Sequence, residues 1–93
     1  AVSLPESDDL RLEATRVINL QGSPILVQVY QTNGGTLSLF QTKANIDKSQ
    51  FRRMAARQKL QVHVWEIGGL TCALIGQVRP ERMRALAASA TDK

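Results

Sequence analysis

Cysteine, histidine and aromatic residues are scarce in this chain of 93 residues: Cys72 and His63 are single, and the aromatics are Tyr30, Phe40, Phe51 and Trp65. One cysteine excludes an internal disulfide, and one histidine beside it leaves no cluster from which to build a zinc site. Long apolar runs are missing too. No stretch approaches the roughly 20 apolar residues of a membrane-spanning helix, and AVSLPESDDL has neither the basic start nor the apolar core of a signal peptide. Glycine-rich phosphate loops are absent, because Gly34-Gly35 and Gly68-Gly69 lie between strands rather than between a strand and a helix. After residue 13 the acidic residues are isolated, so general acid-base chemistry would rest on His63, Glu66 or Glu81 alone. No catalytic residue, cofactor or metal ligand is expected.

Acidic charge is confined mostly to the start. Residues 1–13 hold Glu6, Asp8, Asp9 and Glu13 against Arg11, whereas residues 43–84 hold nine basic side chains against Asp47, Glu66 and Glu81. The body is therefore basic and its leading arm acidic, a distribution suited to an anionic partner or simply to a solvated surface.

Hairpin signals are abundant. In residues 60–77, Leu60, Val62 and Val64 alternate with Gln61, His63 and Trp65, and Leu70, Cys72 and Leu74 alternate with Thr71, Ala73 and Ile75 across Gly68-Gly69. A second hairpin joins ILVQVY (25–30) to LSLFQTK (37–43) through Asn33-Gly34, whose Asn-Gly pair suits positive φ. Residues 10–20 read as a strand rather than a helix, since Thr15, Val17 and Ile18 are β-branched and Gly22 and Pro24 end the run. Two helices complete the chain. Asp47 caps the first, with Gln50 three residues on, and Phe51, Met54 and Ala55 form its apolar stripe. Pro80 opens the second, along which Met83, Leu86, Ala87 and Ala90 recur at helical spacing.

The expected fold class is α+β: a three-strand meander, a helix, a hairpin and a helix, giving an antiparallel sheet of about five strands with both helices packed on one face. Residues 1–9 are expected to be a polar, unanchored arm, residues 10–90 a single domain, and residues 91–93 a frayed end. Leu60, Val62, Val64, Leu70, Cys72 and Leu74 form the expected core under both helices, with Cys72 a packing residue. His63 and Cys72 fall on opposite faces in this register. The other face would carry Leu26, Gln28, Tyr30, Phe40, His63 and Trp65, so Tyr30, Phe40, His63 and Trp65 are candidate interaction residues, joined by Arg52, Arg53 and Arg57 on the solvent side of the first helix. The aromatics lack the basic interleaving of RNA-binding sheets, which ranks nucleic acid behind a protein partner.

The succession Gly22-Ser23-Pro24, Gln28-Val29-Tyr30, Leu37-Ser38-Leu39-Phe40, Val64-Trp65, Ala73-Leu74-Ile75-Gly76 and Arg84-Ala85-Leu86-Ala87 resembles the extracytoplasmic domain of membrane-anchored anti-sigma factors over residues 12–90. The resemblance implies a periplasmic or extracytoplasmic regulatory domain, tethered to the inner membrane through the arm. Such a domain binds an envelope signal or co-regulator and relays it to a cytoplasmic sigma-binding segment, which these residues do not contain. A protein-interaction module of a soluble assembly and a small basic nucleic-acid-binding domain are the alternatives.

Overall fold

The computed structural model describes residues 1–43 and 45–92. Its elements are β1 (Val2–Ser3), β2 (Leu10–Leu20), β3 (Ser23–Thr32), β4 (Gly35–Thr42), α1 (Ser49–Arg57), β5 (Gln61–Ile67), β6 (Leu70–Gly76), α2 (Pro80–Ser89) and β7 (Thr91–Asp92). Strands β2 to β6 form one antiparallel sheet in the order β2-β3-β4-β6-β5, and β1 pairs with β7 in a small second sheet. The α+β class, the five-strand antiparallel sheet and the two helices agree with the reading of the sequence.

Three tight turns set the registers. Gln21 and Gly22 both adopt positive φ between β2 and β3, as do Gly68 and Gly69 between β5 and β6, which is the twist a two-residue hairpin needs. In the β3–β4 turn the positive φ belongs to Gly35, at 135°, and not to Asn33. There the Thr32 hydroxyl accepts from the Gly34 amide at 3.2 Å and donates to the Gly35 carbonyl at 2.9 Å, closing the turn by side-chain bonds.

The two helices pack on opposite faces of the sheet, not on one. Phe51 and Ala55 of α1 are fully buried against Ile25, Val27, Phe40, Ala73 and Ile75, with Val62 and Val64 alongside. Met83 and Ala87 of α2 sit with Leu37, Leu39, Cys72 and Leu74 in a separate cluster. Neighbours such as Leu39 and Phe40 thus serve different cores, as the pleat requires. The β5–β6 hairpin is divided in the same way, and the register explains why. A two-residue turn pairs Ile67 with Leu70, Trp65 with Cys72 and His63 with Leu74, so odd residues of β5 share a face with even residues of β6. Val62 and Val64 therefore lie under α1 while Leu70, Cys72 and Leu74 lie under α2. His63 and Cys72 share the α2 face, contrary to the sequence reading.

The polar arm is not loose. Val2 and Leu4 are buried in the α2-side core, Ser7 and Leu10 exchange backbone bonds of 2.9 and 3.2 Å, and β1 is held by β7. Thr91 and Asp92, expected to fray, pair with Ser3 and Val2; Lys93 lies outside the described residues. Two chain ends that lack internal periodicity are thus ordered by each other and by the sheet beneath them.

Candidate functional site

On the α2 side of the sheet, three polar side chains are buried where apolar ones would be expected. Gln28 and Gln41 are inward-facing members of β3 and β4, and Tyr30 is 1% exposed. The alternation of β4, with Leu37 and Leu39 inward, carries Gln41 to the same face. Burial of an amide or phenol is tolerated only when its hydrogen bonds are made. Here the partner is the N-terminal segment. The Val2 amide donates to Gln41 Oε1 at 2.6 Å, and Gln41 Nε2 donates back to the Val2 carbonyl at 2.8 Å. One side-chain amide reads both backbone groups of one residue, as a neighbouring strand would.

Two residues on, the Leu4 amide donates to the Tyr30 hydroxyl at 3.1 Å, and that hydroxyl donates to Gln28 Oε1 at 3.0 Å. Burial raises the phenol above its ordinary pKa, so the proton that this second bond uses is retained. Val2 and Leu4, alternate residues of an extended segment, point their side chains into the core between these clamps. The outcome is a polar latch under an apolar lid: residues 2–4 are fixed by three backbone hydrogen bonds to buried side chains and by two buried aliphatic groups.

The ends of the latch segment are also held. Glu6 Oε1 accepts from the Leu12 amide at 2.7 Å, and Asp9 accepts from Ser7 Oγ at 2.7 Å and from Arg82 of α2 at 2.9 Å. The Ser7 hydroxyl first, and the Arg82 guanidinium after it, hold the Asp9 carboxyl below its ordinary pKa. The acidic arm and basic body thus meet in the exposed Asp9–Arg82 ion pair. An open groove of about 690 Å³ runs beside that pair, between Asp9, Asn33, Gln77, Arg79 and Arg82.

Of the sequence-derived candidates, Tyr30 and Phe40 are core residues and are not available at the surface: Phe40 is 8% exposed and packs on Phe51 at 5.7 Å between ring centroids. Phe40 also lies on the opposite face from the other three. His63 and Trp65 stay together, partly buried on the α2 face and stacked at 5.7 Å with 26° between their planes. Trp65 Nε1 is buried and makes no hydrogen bond. Arg52, Arg53 and Arg57 project from α1 on the far side of the molecule, exposed, with Arg53 donating to Ser49 Oγ at 2.8 Å. The structure therefore brings His63 and Trp65 together and separates them from the arginines by the thickness of the sheet.

The candidates read from the sequence do not include Gln41, Val2 and Leu4. A signal existed: Gln41 continues the inward alternation of Leu37 and Leu39, and Val2 and Leu4 are spaced like one face of a strand.

Among the described residues no group of three or more His, Cys, Asp or Glu side chains could hold a metal ion, and no helix is long and apolar enough to cross a membrane. Comparisons of the chain with models of protein families, with curated proteins and with solved structures find no match.

Proposed function

We propose that this is the extracytoplasmic sensor or regulatory domain of a membrane-anchored anti-sigma factor, in which the state of the folded domain is relayed through its N-terminal segment. The sequence resemblance motivates this reading. Its motifs occupy structural positions: Gly22-Ser23-Pro24 runs from the β2–β3 turn into β3, Gln28-Val29-Tyr30 lies in β3, Leu37-Ser38-Leu39-Phe40 in β4, and Ala73-Leu74-Ile75-Gly76 in β6.

The observation that carries it is the latch. In the proposed protein a tether would enter at residue 1, and residues 2–4 are the first that Gln41 and Tyr30 grip. A signal or co-regulator that alters the packing on the α2 face would change the hold on that segment, and so the exposure of the tether to a protease or its pull on the sigma-binding segment. Sensing requires an element whose two states differ by little free energy, and a terminal segment held by three backbone hydrogen bonds and two buried side chains meets that requirement better than the central strands do.

Two experiments test the reading. The coding sequence upstream of residue 1 should specify an apolar run of about 20 residues; its absence would remove the membrane-anchor part. In the full-length protein, Gln41→Leu should loosen the latch and raise transcription from promoters of the cognate sigma factor. Unchanged transcription, with residues 2–4 shown by hydrogen exchange to be released, would overturn the relay.

A further inference from the structure

We infer that β2 is a self-association edge, through which two copies of this chain join their sheets antiparallel about a two-fold axis at Val17. The sheet ends differently on its two sides. At one end α2 packs over β5 and α1 over β5 and β6, whereas at the other, among the described residues, β2 pairs with β3 alone. Among the described residues, the chain covers only the start of this edge. Ser7 exchanges backbone bonds with Leu10, and Glu6 takes the Leu12 amide. A β-bulge between Leu12 and Ala14 then ends that covered portion.

From residue 14 to residue 20 the register with β3 is regular. In a two-residue hairpin the residues flanking the turn form a hydrogen-bonded pair, and the pairs alternate from there. Leu20, Ile18, Arg16 and Ala14 therefore direct their backbone groups to β3, while Asn19, Val17 and Thr15 direct theirs outward. The use of the Leu10 and Leu12 amides by Ser7 and Glu6 fits the same alternation across the bulge. This open edge contains no proline and no lysine, two of the devices that commonly blunt strand edges.

Val17 is the midpoint of residues 14–20 and, at 68% exposed, the most exposed large apolar side chain. Centring the pair on Val17 uses the whole regular segment. The two Val17 residues exchange backbone bonds, as do each Thr15 and Asn19 of the second copy, and Arg16 stands opposite Ile18. Moving the centre to residue 16 places Arg16 opposite Arg16, moving it to Thr15 runs into the bulge, and moving it to Ile18 sets Ala14 against Gly22 of the β2–β3 turn. The strand therefore favours its own copy, with the two Val17 side chains covering each other. Arg16 side chains lie on a diagonal, about 7–8 Å apart, so added salt should strengthen the association.

Sedimentation of the chain over a dilution series should show a reversible rise toward twice the monomer mass, while Val17→Lys stays monomeric with unchanged circular dichroism. Oxidation adds a positional test. Val17→Cys should give a covalent dimer, since Cα atoms of a hydrogen-bonded antiparallel pair lie about 5.5 Å apart, within disulfide reach. Thr15→Cys should not, because its two copies would stand about 13 Å apart along the strands. The unaltered chain is the control for Cys72, which is fully buried. A monomer at every concentration overturns the proposal, as does a dimer that survives Val17→Lys or that Thr15→Cys cross-links as readily as Val17→Cys. None of these outcomes depends on the anti-sigma reading.

Discussion

Single residues carry the latch and the close contacts, and their chemistry predicts their substitutions. Replacing Gln41 with Leu keeps the volume but strands the buried amide and carbonyl of Val2, at a cost of about 1–3 kcal/mol for each buried group left without a partner. Tyr30→Phe removes the acceptor for the Leu4 amide and the donor to Gln28. Urea melts should show both variants destabilised, and hydrogen exchange should show the added opening confined to residues 2–4. Gly76 is fixed by space: a Cβ there would meet the Thr36 carbonyl oxygen at 2.8 Å and Leu37 at 2.9 Å. Backbone cannot yield as a flexible side chain can, so Gly76→Ala should cost about 1–3 kcal/mol by overpacking, read as a lower denaturation midpoint.

Titration belongs to this scale as well. Asp9 and Asp47 are held below the ordinary carboxylate pKa, the first by Ser7 and Arg82, the second chiefly by the Ser49 amide. A carboxyl whose folded pKa is depressed adds stability that is present above its unfolded value, about 4, and is lost as pH falls through the folded value. Denaturation midpoints should therefore decline on the acid side below about pH 4. Asp47→Asn should flatten part of that decline; an unchanged slope would remove Asp47 from the account.

At the scale of elements, the helices show which local rules held. Asp47 accepts the Ser49 amide at 2.9 Å and so caps α1 as the sequence suggests, although Gln50 reaches to Gln21 at 2.7 Å instead of closing a capping box. That bond ties the helix to the β2–β3 turn. At the other end, the Leu60 amide bonds the Ala55 carbonyl and the Lys59 amide bonds that of Ala56, a Schellman ending with Lys59 at φ 57°. Glycine is the usual residue there because a Cβ costs about 1 kcal/mol in that conformation. Lys59→Gly should raise the melting temperature, and a fall would show that the lysine side chain contributes more than its backbone strain costs. For α2, Pro80 stands at the first turn and Met83 and Ala87 are buried, following the small-residue periodicity.

The strands show where local rules ran out. Each hairpin was legible from alternation and its turn, yet assigning the faces of β5 and β6 requires the pairing across Gly68-Gly69, not the alternation within each strand. Once Ile67 is set opposite Leu70, Val64 and Cys72 must part company. Two-strand β1–β7 was not legible at all. Two residues are too few to show a period by themselves, and each partner becomes a strand only because the other lies beside it.

For the whole molecule, the sheet is the partition. α1 and the arginines Arg52, Arg53 and Arg57 occupy one side, with Lys48 bonded to Glu66 at 3.0 Å across to β5. α2, the N-terminal segment and the His63–Trp65 pair occupy the other. A single recognition face combining Tyr30, Phe40, His63 and Trp65 is thereby divided, since the pleat sends adjacent residues of β4 to different cores.

The sequence by itself determined the α+β class, the five strands of the main sheet, both helices and the burial of Cys72, because strand alternation, turn chemistry and helical spacing are local properties that short windows contain. Only the tertiary structure decided that the helices lie on opposite faces and that Tyr30 and Phe40 are core. It alone also decided that residues 2–4 are gripped by Gln41 and Tyr30. These depend on which strand neighbours which and on hydrogen bonds spanning 26 and 39 residues of chain. Alternation places Gln41 inward and Val2 and Leu4 on one face, but it does not say that one meets the other; that pairing exists only once folding sets the arm upon the sheet.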